Sequence, residues 1–242
     1  MKKVEELLKS GVDEGYALYC DHTVLRAYTP SSVVREFCEE AVKYGAAAVC
    51  VNPVHVALVH SCLEGTGVKT ATVIGFPLGA NKTCVKAFEA SEAVKDGVDE
   101  VDMVINIGAL REGDTEFVYN DIKAVVDASG DAKVKVIIET CYLTDEEKVT
   151  ACELCVKAGA DFVKTSTGMG TGGATEADVK LLSKTANGRI LVKASGGVDD
   201  RATAYTMLHA GASRLGVSKV PQIVEDDTSI VSASKKNQPP KF

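Results

Sequence analysis

At 242 residues, with 45% hydrophobic and 25% charged side chains, the chain has the make-up of a globular protein able to bury a large core. Its net charge of −7 argues against a nucleic-acid partner, which needs a clustered basic stripe. No apolar run approaches the ~20 residues that cross a bilayer, and the charged start Met1-Lys-Lys-Val-Glu-Glu lacks a secretory signal's apolar core, so the expected compartment is the cytoplasm.

Short apolar runs alternate with longer amphipathic ones. A first strand is expected at residues 16–20, followed by Asp21-His-Thr23, and Thr29-Pro-Ser-Ser opens a helix over 31–44. A second strand at 47–51 carries Cys50 and leads through Asn52 into a helix near 54–64. The third strand, 69–74, precedes a helix over 83–96. In the fourth, 100–105, alternation puts Val101, Met103 and Ile105 on one face, against helices. Glu100, Asp102, Val104 and Asn106 share the other face and point inward. A helix at 116–129, a strand at 133–138 and a helix at 145–158 follow, the last opened by Thr144-Asp-Glu-Glu. The sixth and seventh strands, 161–164 and 190–193, flank a helix at 176–185 that Thr175 starts. A helix at 201–210, an eighth strand at 213–217 and a helix at 221–231 complete the pattern, and residues 232–242 are expected to form a mobile tail.

Eight strand–helix units without a linker make a single-domain (β/α)8 TIM barrel over residues 1–231 the economical fold. A doubly wound open sheet is the competing architecture, but no phosphate fingerprint follows the first strand. The eight cysteines are spread through predicted strands and helices, and reduced thiols are expected. Cys152-Glu-Leu-Cys155 lies mid-helix with no second pair, and the four histidines show no ligand spacing, so no metal is expected.

Active sites in such barrels form at the C-terminal ends of the strands. Lys164 and Lys193 close neighbouring strands there, face inward by parity, and precede glycines. A lysine attacks a carbonyl only as the free amine, so a pKa near 10.4 must fall to about 7. Burial and a second cation within ~4–6 Å both act in that direction, and Lys193 is the cation at hand. Asp102 is the natural acid/base on the facing strand. The competing reading makes both lysines structural partners of Asp102 and Glu139. Thr167-Gly168, Ser195-Gly196-Gly197 and Gly216-Val-Ser218 follow strands six to eight, where barrels often bind phosphate on backbone N–H groups. Asp21, Thr23 and Cys50 end the first two strands and are expected to line the mouth, although no base partner for a Cys50 nucleophile is identifiable. The pattern suits a Schiff-base enzyme acting on a small phosphorylated sugar.

At these residues the chain resembles the deoxyribose-phosphate aldolase family. The matching segments include Asp21-His-Thr23, Val49-Cys-Val-Asn-Pro53, Val73-Ile-Gly-Phe-Pro77, Glu100-Val-Asp-Met-Val-Ile-Asn106, Phe162-Val-Lys-Thr-Ser-Thr-Gly168, Val192-Lys-Ala-Ser-Gly-Gly197 and Gly211-Ala-Ser-Arg-Leu-Gly216. The resemblance implies reversible cleavage of 2-deoxy-D-ribose 5-phosphate, with Lys164 forming the Schiff base, Lys193 depressing its pKa and Asp102 serving proton transfer. It also implies phosphate binding at Gly168, Gly196, Gly197, Gly216 and Ser218, a homodimer or higher homo-oligomer, and no metal or organic cofactor. Met169 and Asp199 stand where relatives often carry other, commonly basic, residues, which bears on phosphate affinity; Lys219 is a candidate to offset Asp199. A different Schiff-base aldolase, or a transaldolase-like enzyme with a longer or unphosphorylated aldehyde, and a non-catalytic sugar-phosphate binder remain the alternatives.

Overall fold

Eight parallel strands close on themselves in sequence order, each bonded to the next and the last bonded back to the first. They are β1 Cys20–Val24, β2 Ala48–Val51, β3 Lys69–Ile74, β4 Glu100–Val104, β5 Lys133–Ile137, β6 Phe162–Lys164, β7 Leu191–Ser195 and β8 Arg214–Val217. This barrel belongs to a computed structural model that describes residues 15–226. The expected tail, the charged start and the far end of the last expected helix lie outside the described residues.

The surrounding helices are α1 Ser31–Tyr44, α2 Val56–Leu63, α3 Thr83–Lys95, α4 Ile107–Arg111, α5 Thr115–Ala128, α6 Asp145–Ala158, α7 Glu176–Ala186, α8 Arg201–His209 and α9 Val220–Glu225. Local chemistry sets their ends. Thr144 and Glu147 form a reciprocal capping box at the start of α6, and Thr175 accepts the Asp178 N–H at the start of α7. Gly45 and Gly159 end α1 and α6 at φ of 69° and 82°, a left-handed geometry that glycine adopts without penalty. Thr29 does not cap α1: Pro30 holds the cap position, with no side-chain bond there.

The first strand departs from the sequence expectation. Residues 17–19 form a short 3-10 turn, with the Tyr19 N–H donating to the Tyr16 carbonyl at 3.1 Å, and β1 begins where it was expected to end. The run Tyr16-Ala-Leu-Tyr-Cys is apolar but not alternating, and only Leu18 of it reaches solvent. The shift carries Asp21, His22 and Thr23 into the strand itself. Asn106 likewise leaves β4, and its side chain caps α4 by accepting the Ala109 N–H.

Val101, Met103 and Ile105 pack outward into the core shared with the helices. The barrel interior is divided. Ala48, Cys50, Ala71 and Val73 fill one part as an apolar cluster, with Leu25 and Phe76 against it. The opposite part is filled by charge. A second buried pair, Lys86 with Asp121 at 2.6 Å, joins α3 to α5 outside the barrel, and Lys86 also donates to the Val104 carbonyl at the end of β4.

Candidate active site

Strand parity carries seven charged side chains into the barrel: Asp21 from β1, Glu100 and Asp102 from β4, Lys135 from β5, Lys164 from β6, Lys193 from β7 and Arg214 from β8. Isolated, each would forfeit hydration it could not recover, so their partners decide whether the arrangement stands. Asp102 accepts from all three lysines: Lys135 at 2.8 Å on Oδ1, and Lys164 and Lys193 each at 2.7 Å on Oδ2. Because Lys164 and Lys193 share one oxygen, their nitrogens stand at most twice 2.7 Å apart. Lys193 also reaches Asp21. Lys135 reaches Glu100 at 2.6 Å and Asp21 at 3.5 Å. Arg214 bridges Asp21 at 2.6 Å and Glu100 at 2.9 Å.

The ledger of charge is uneven. Four cations (Lys135, Lys164, Lys193, Arg214) face three carboxylates (Asp21, Glu100, Asp102), so full ionisation leaves one positive charge uncompensated. Lys135 touches three carboxylates and Lys193 two, whereas Lys164 touches only Asp102. The titration directions follow. Burial opposes the charge on Lys135, Lys193 and Arg214, but their carboxylates outweigh it and hold all three above their ordinary values. For Lys164 burial is the largest influence and prevails; Asp102 resists it, and the Lys193 ammonium reinforces it, leaving Lys164 below the usual lysine range. Asp21 and Asp102 are held well below the usual carboxylate range, because the surrounding cations outweigh their burial. Lys164 is thus the group from which the excess proton leaves most readily.

Above this network lies a cleft of about 190 Å³, with Lys164 on its wall. Of the residues picked out by sequence, Thr23, Thr167, Gly168, Gly196, Gly197, Gly216 and Ser218 line it. Lys193 and Asp102 are fully buried beneath it and touch Lys164 through the shared oxygen. Asp21 and Cys50, expected at the mouth, do not line it. Asp21 sits deeper because β1 begins at Cys20, and it serves as partner to Lys193 and Arg214. Cys50 faces the apolar part of the interior, where burial first, and then Asp102, push its thiol up to about 11. That makes it a poor nucleophile.

The loops after β6 and β7 meet at glycine. Gly196 has φ of 83°, and a Cβ there would lie 3.0 Å from Gly173 Cα and 3.3 Å from Gly168 Cα, so a side chain would force the two turns apart. Thr167 is not free to point at a ligand: its N–H donates to the Glu139 carboxylate at 3.2 Å, and its hydroxyl donates there too. Glu139, the alternative partner for the lysines, instead ties the loop after β5 to the loop after β6. Its backbone lies in the left-handed region at φ of 54°.

Lys135, Arg214 and Glu100 are the members of the network that the sequence reading missed as site residues. Inward parity was the available signal for Lys135 and Arg214. All eight cysteines are free thiols. Among the described residues no helix is long and apolar enough to cross a membrane.

Residues 16–218 match the model of the DeoC/LacD family aldolases. The chain is 55% identical to the deoxyribose-phosphate aldolase of Geobacillus sp. (strain WCH70), over 90% of its own length and 98% of that protein's. It is 54% identical to the deoxyribose-phosphate aldolase of Thermococcus gammatolerans, over 86% of its own length and 95% of the relative's. Among solved structures, the tetrameric deoxyribose phosphate aldolase of Aeropyrum pernix superposes with a TM-score of 0.86 at 32% identity, covering 94% of this chain and 97% of that one.

Proposed function

The chain belongs to the DeoC/LacD aldolase family, and from that premise we propose that it reversibly cleaves 2-deoxy-D-ribose 5-phosphate into D-glyceraldehyde 3-phosphate and acetaldehyde. It is a carbon–carbon lyase. The observation that carries the mechanism is the placement of Lys164: a buried lysine on the wall of a cleft, with one carboxylate partner whose oxygen it shares with a second lysine.

In this mechanism the neutral Lys164 amine adds to the C1 aldehyde of the open-chain sugar, and loss of water leaves a protonated imine. The imine draws in the C2–C3 electron pair as the C3 hydroxyl gives up its proton. D-Glyceraldehyde 3-phosphate leaves, and an enamine remains on Lys164. Protonation at C2 and hydrolysis by one water then return acetaldehyde and the free amine. Asp102, held below the usual carboxylate range by its lysine partners, starts the cycle ionised and so is able to accept the proton that the C3 hydroxyl gives up. That proton passes through the Asp102–Lys193 pair and is returned to the enamine at C2. Lys193, on the same oxygen as Lys164, is the proton donor at hand for the departing water. The backbone turns at Gly168, Gly196, Gly197 and Gly216, with Ser218, receive the 5-phosphate.

Comparing turnover of 2-deoxyribose 5-phosphate with that of 2-deoxyribose tests the substrate. The phosphorylated sugar is expected to have the higher kcat/KM, and a preference for the free sugar would refute the assignment.

Lys193→Leu tests the pairing of the lysines. Removing that cation takes away an influence that lowers the Lys164 pKa and leaves Asp102 with a stronger hold on Lys164. Both effects raise the Lys164 pKa. The ascending limb of kcat/KM against pH is therefore expected to move to higher pH, with activity at neutral pH falling about 10²-fold or more. An unmoved limb would remove Lys193 from this role.

The chain is also proposed to assemble as a homo-oligomer. The tetrameric Aeropyrum pernix relative supports this, as do the exposed apolar side chains Val54, Leu78 and Phe88.

A further inference from the structure

Among the described residues that line the cleft, Lys164 is the one basic side chain and Asp199 the one carboxylate. Lys164 is committed to Asp102 on the barrel side, and a phosphate dianion entering over the glycine turns would meet Asp199 as a like charge. The glycine amides and the Ser218 hydroxyl, none of them charged, would have to outweigh that repulsion. The next cation along the chain changes the balance: Lys219, directly after the cleft residue Ser218, places its Nζ 2.9 Å from Asp199 Oδ1. The neighbouring carboxylate, Asp200, is occupied in capping α8 through the Thr203 N–H at 2.7 Å.

We propose that Lys219 is the phosphate-binding cation of this site, paired with Asp199 until substrate arrives and then turned onto its phosphate. The proposal rests on the aldolase reading above and deepens it. The two partners are unequal in a way that suits the exchange. The Asp199 side chain is 57% exposed and regains water when released, whereas that of Lys219 is 25% exposed and has already given up most of its hydration. An ion pair in such a position holds weakly, and a lysine carries its three donors on a flexible stem that can change partners. A doubly charged phosphate is a stronger acceptor than a single carboxylate, so the exchange runs toward substrate. The loops after the last two barrel strands, which carry Asp199 and Lys219, are where this architecture commonly binds phosphate. Arg26 is the competing cation. It lines an adjoining pocket that shares Thr23, Thr167, Gly168 and Ser218, but its guanidinium donates to the Tyr28 hydroxyl at 2.6 Å.

The test compares wild type with Lys219→Met, Lys219→Arg, Asp199→Asn and Arg26→Met on two substrates, 2-deoxyribose 5-phosphate and 2-deoxyribose. The ratio of kcat/KM for the phosphorylated over the free sugar is expected to fall about tenfold in Lys219→Met, mostly through KM. It is expected to recover in Lys219→Arg and to rise in Asp199→Asn. Inhibition of 2-deoxyribose turnover by inorganic phosphate should weaken in Lys219→Met by a similar factor. Borohydride trapping of acetaldehyde on Lys164 verifies in each variant that the chemical centre is intact. An unchanged ratio in Lys219→Met, or a fall that appears in Arg26→Met instead, would overturn the assignment of Lys219. A wild type that ignores the phosphorylated sugar would instead sink the aldolase reading itself, so the two failures are distinct.

Discussion

Lys164→Ala is expected to lower kcat/KM for the phosphorylated sugar by at least about 10⁴-fold, because the covalent step has no substitute nucleophile. Lys193 is no deputy: it is fully buried, shared between Asp21 and Asp102, and held above its ordinary pKa. The fold should survive the change. Lys164 is the surplus cation of the interior, and its removal leaves Lys135, Lys193 and Arg214 facing Asp21, Glu100 and Asp102 in equal number. The variant is therefore expected to match or exceed the wild-type melting temperature while losing turnover. Thermal unfolding beside steady-state kinetics checks this. Substantial residual activity would place the imine elsewhere, and a large loss of stability would mean that Lys164 is a structural ion-pair partner.

Asp102→Asn should do the opposite to stability. It leaves three buried ammonium groups around a neutral amide whose NH2 presents hydrogens to them. Breaking a buried ion pair from one side costs about 3–5 kcal/mol, which for a chain of this size lowers Tm by about 10 °C. In the wild type the Asp102 carboxyl is depressed by folding, so the stability it contributes is present above the ordinary carboxylate pKa near 3.9 and drains away as pH falls below it. The variant should lose less stability over that acid range. Its chemistry should divide. Asp102 acts to raise the Lys164 pKa, so its removal lowers that pKa further and makes the free amine more abundant at neutral pH. Imine formation with acetaldehyde should then persist, while turnover falls about 10²–10⁴-fold for want of proton transfer. Parallel loss of trapping and turnover would contradict this division of labour.

Much of this was legible in the chain for a simple reason. Strand period is two, so a lysine at the end of a short β-branched run declares which way it points once the strand is placed. That placed Lys164, Lys193 and Asp102 in one interior, and the structure has all three there. Parity failed where strand limits were misjudged: the apolar run at residues 16–20 suits a strand as well as the 3-10 turn it forms, and one misplaced boundary moved Asp21 from interior to mouth. Lys135 was hidden for a different reason. A strand reading Lys-Val-Lys-Val resembles one with a solvated face, and only carboxylates from β1 and β4 make its burial tolerable. Glu139 stood out only as a partner for the lysines; its bond to Thr167 was not legible, since it depends on a left-handed backbone at a non-glycine residue.

The account depends on one amine that gives up its proton more readily than its neighbours. Its most direct test is the pH dependence of borohydride trapping of acetaldehyde on the wild-type protein, with the adduct located by peptide mapping. The expected result is a single adduct on Lys164 whose trapping rate half-rises below the ordinary lysine pKa of about 10.4. An adduct on another lysine, or a half-rise at the ordinary value, would contradict it.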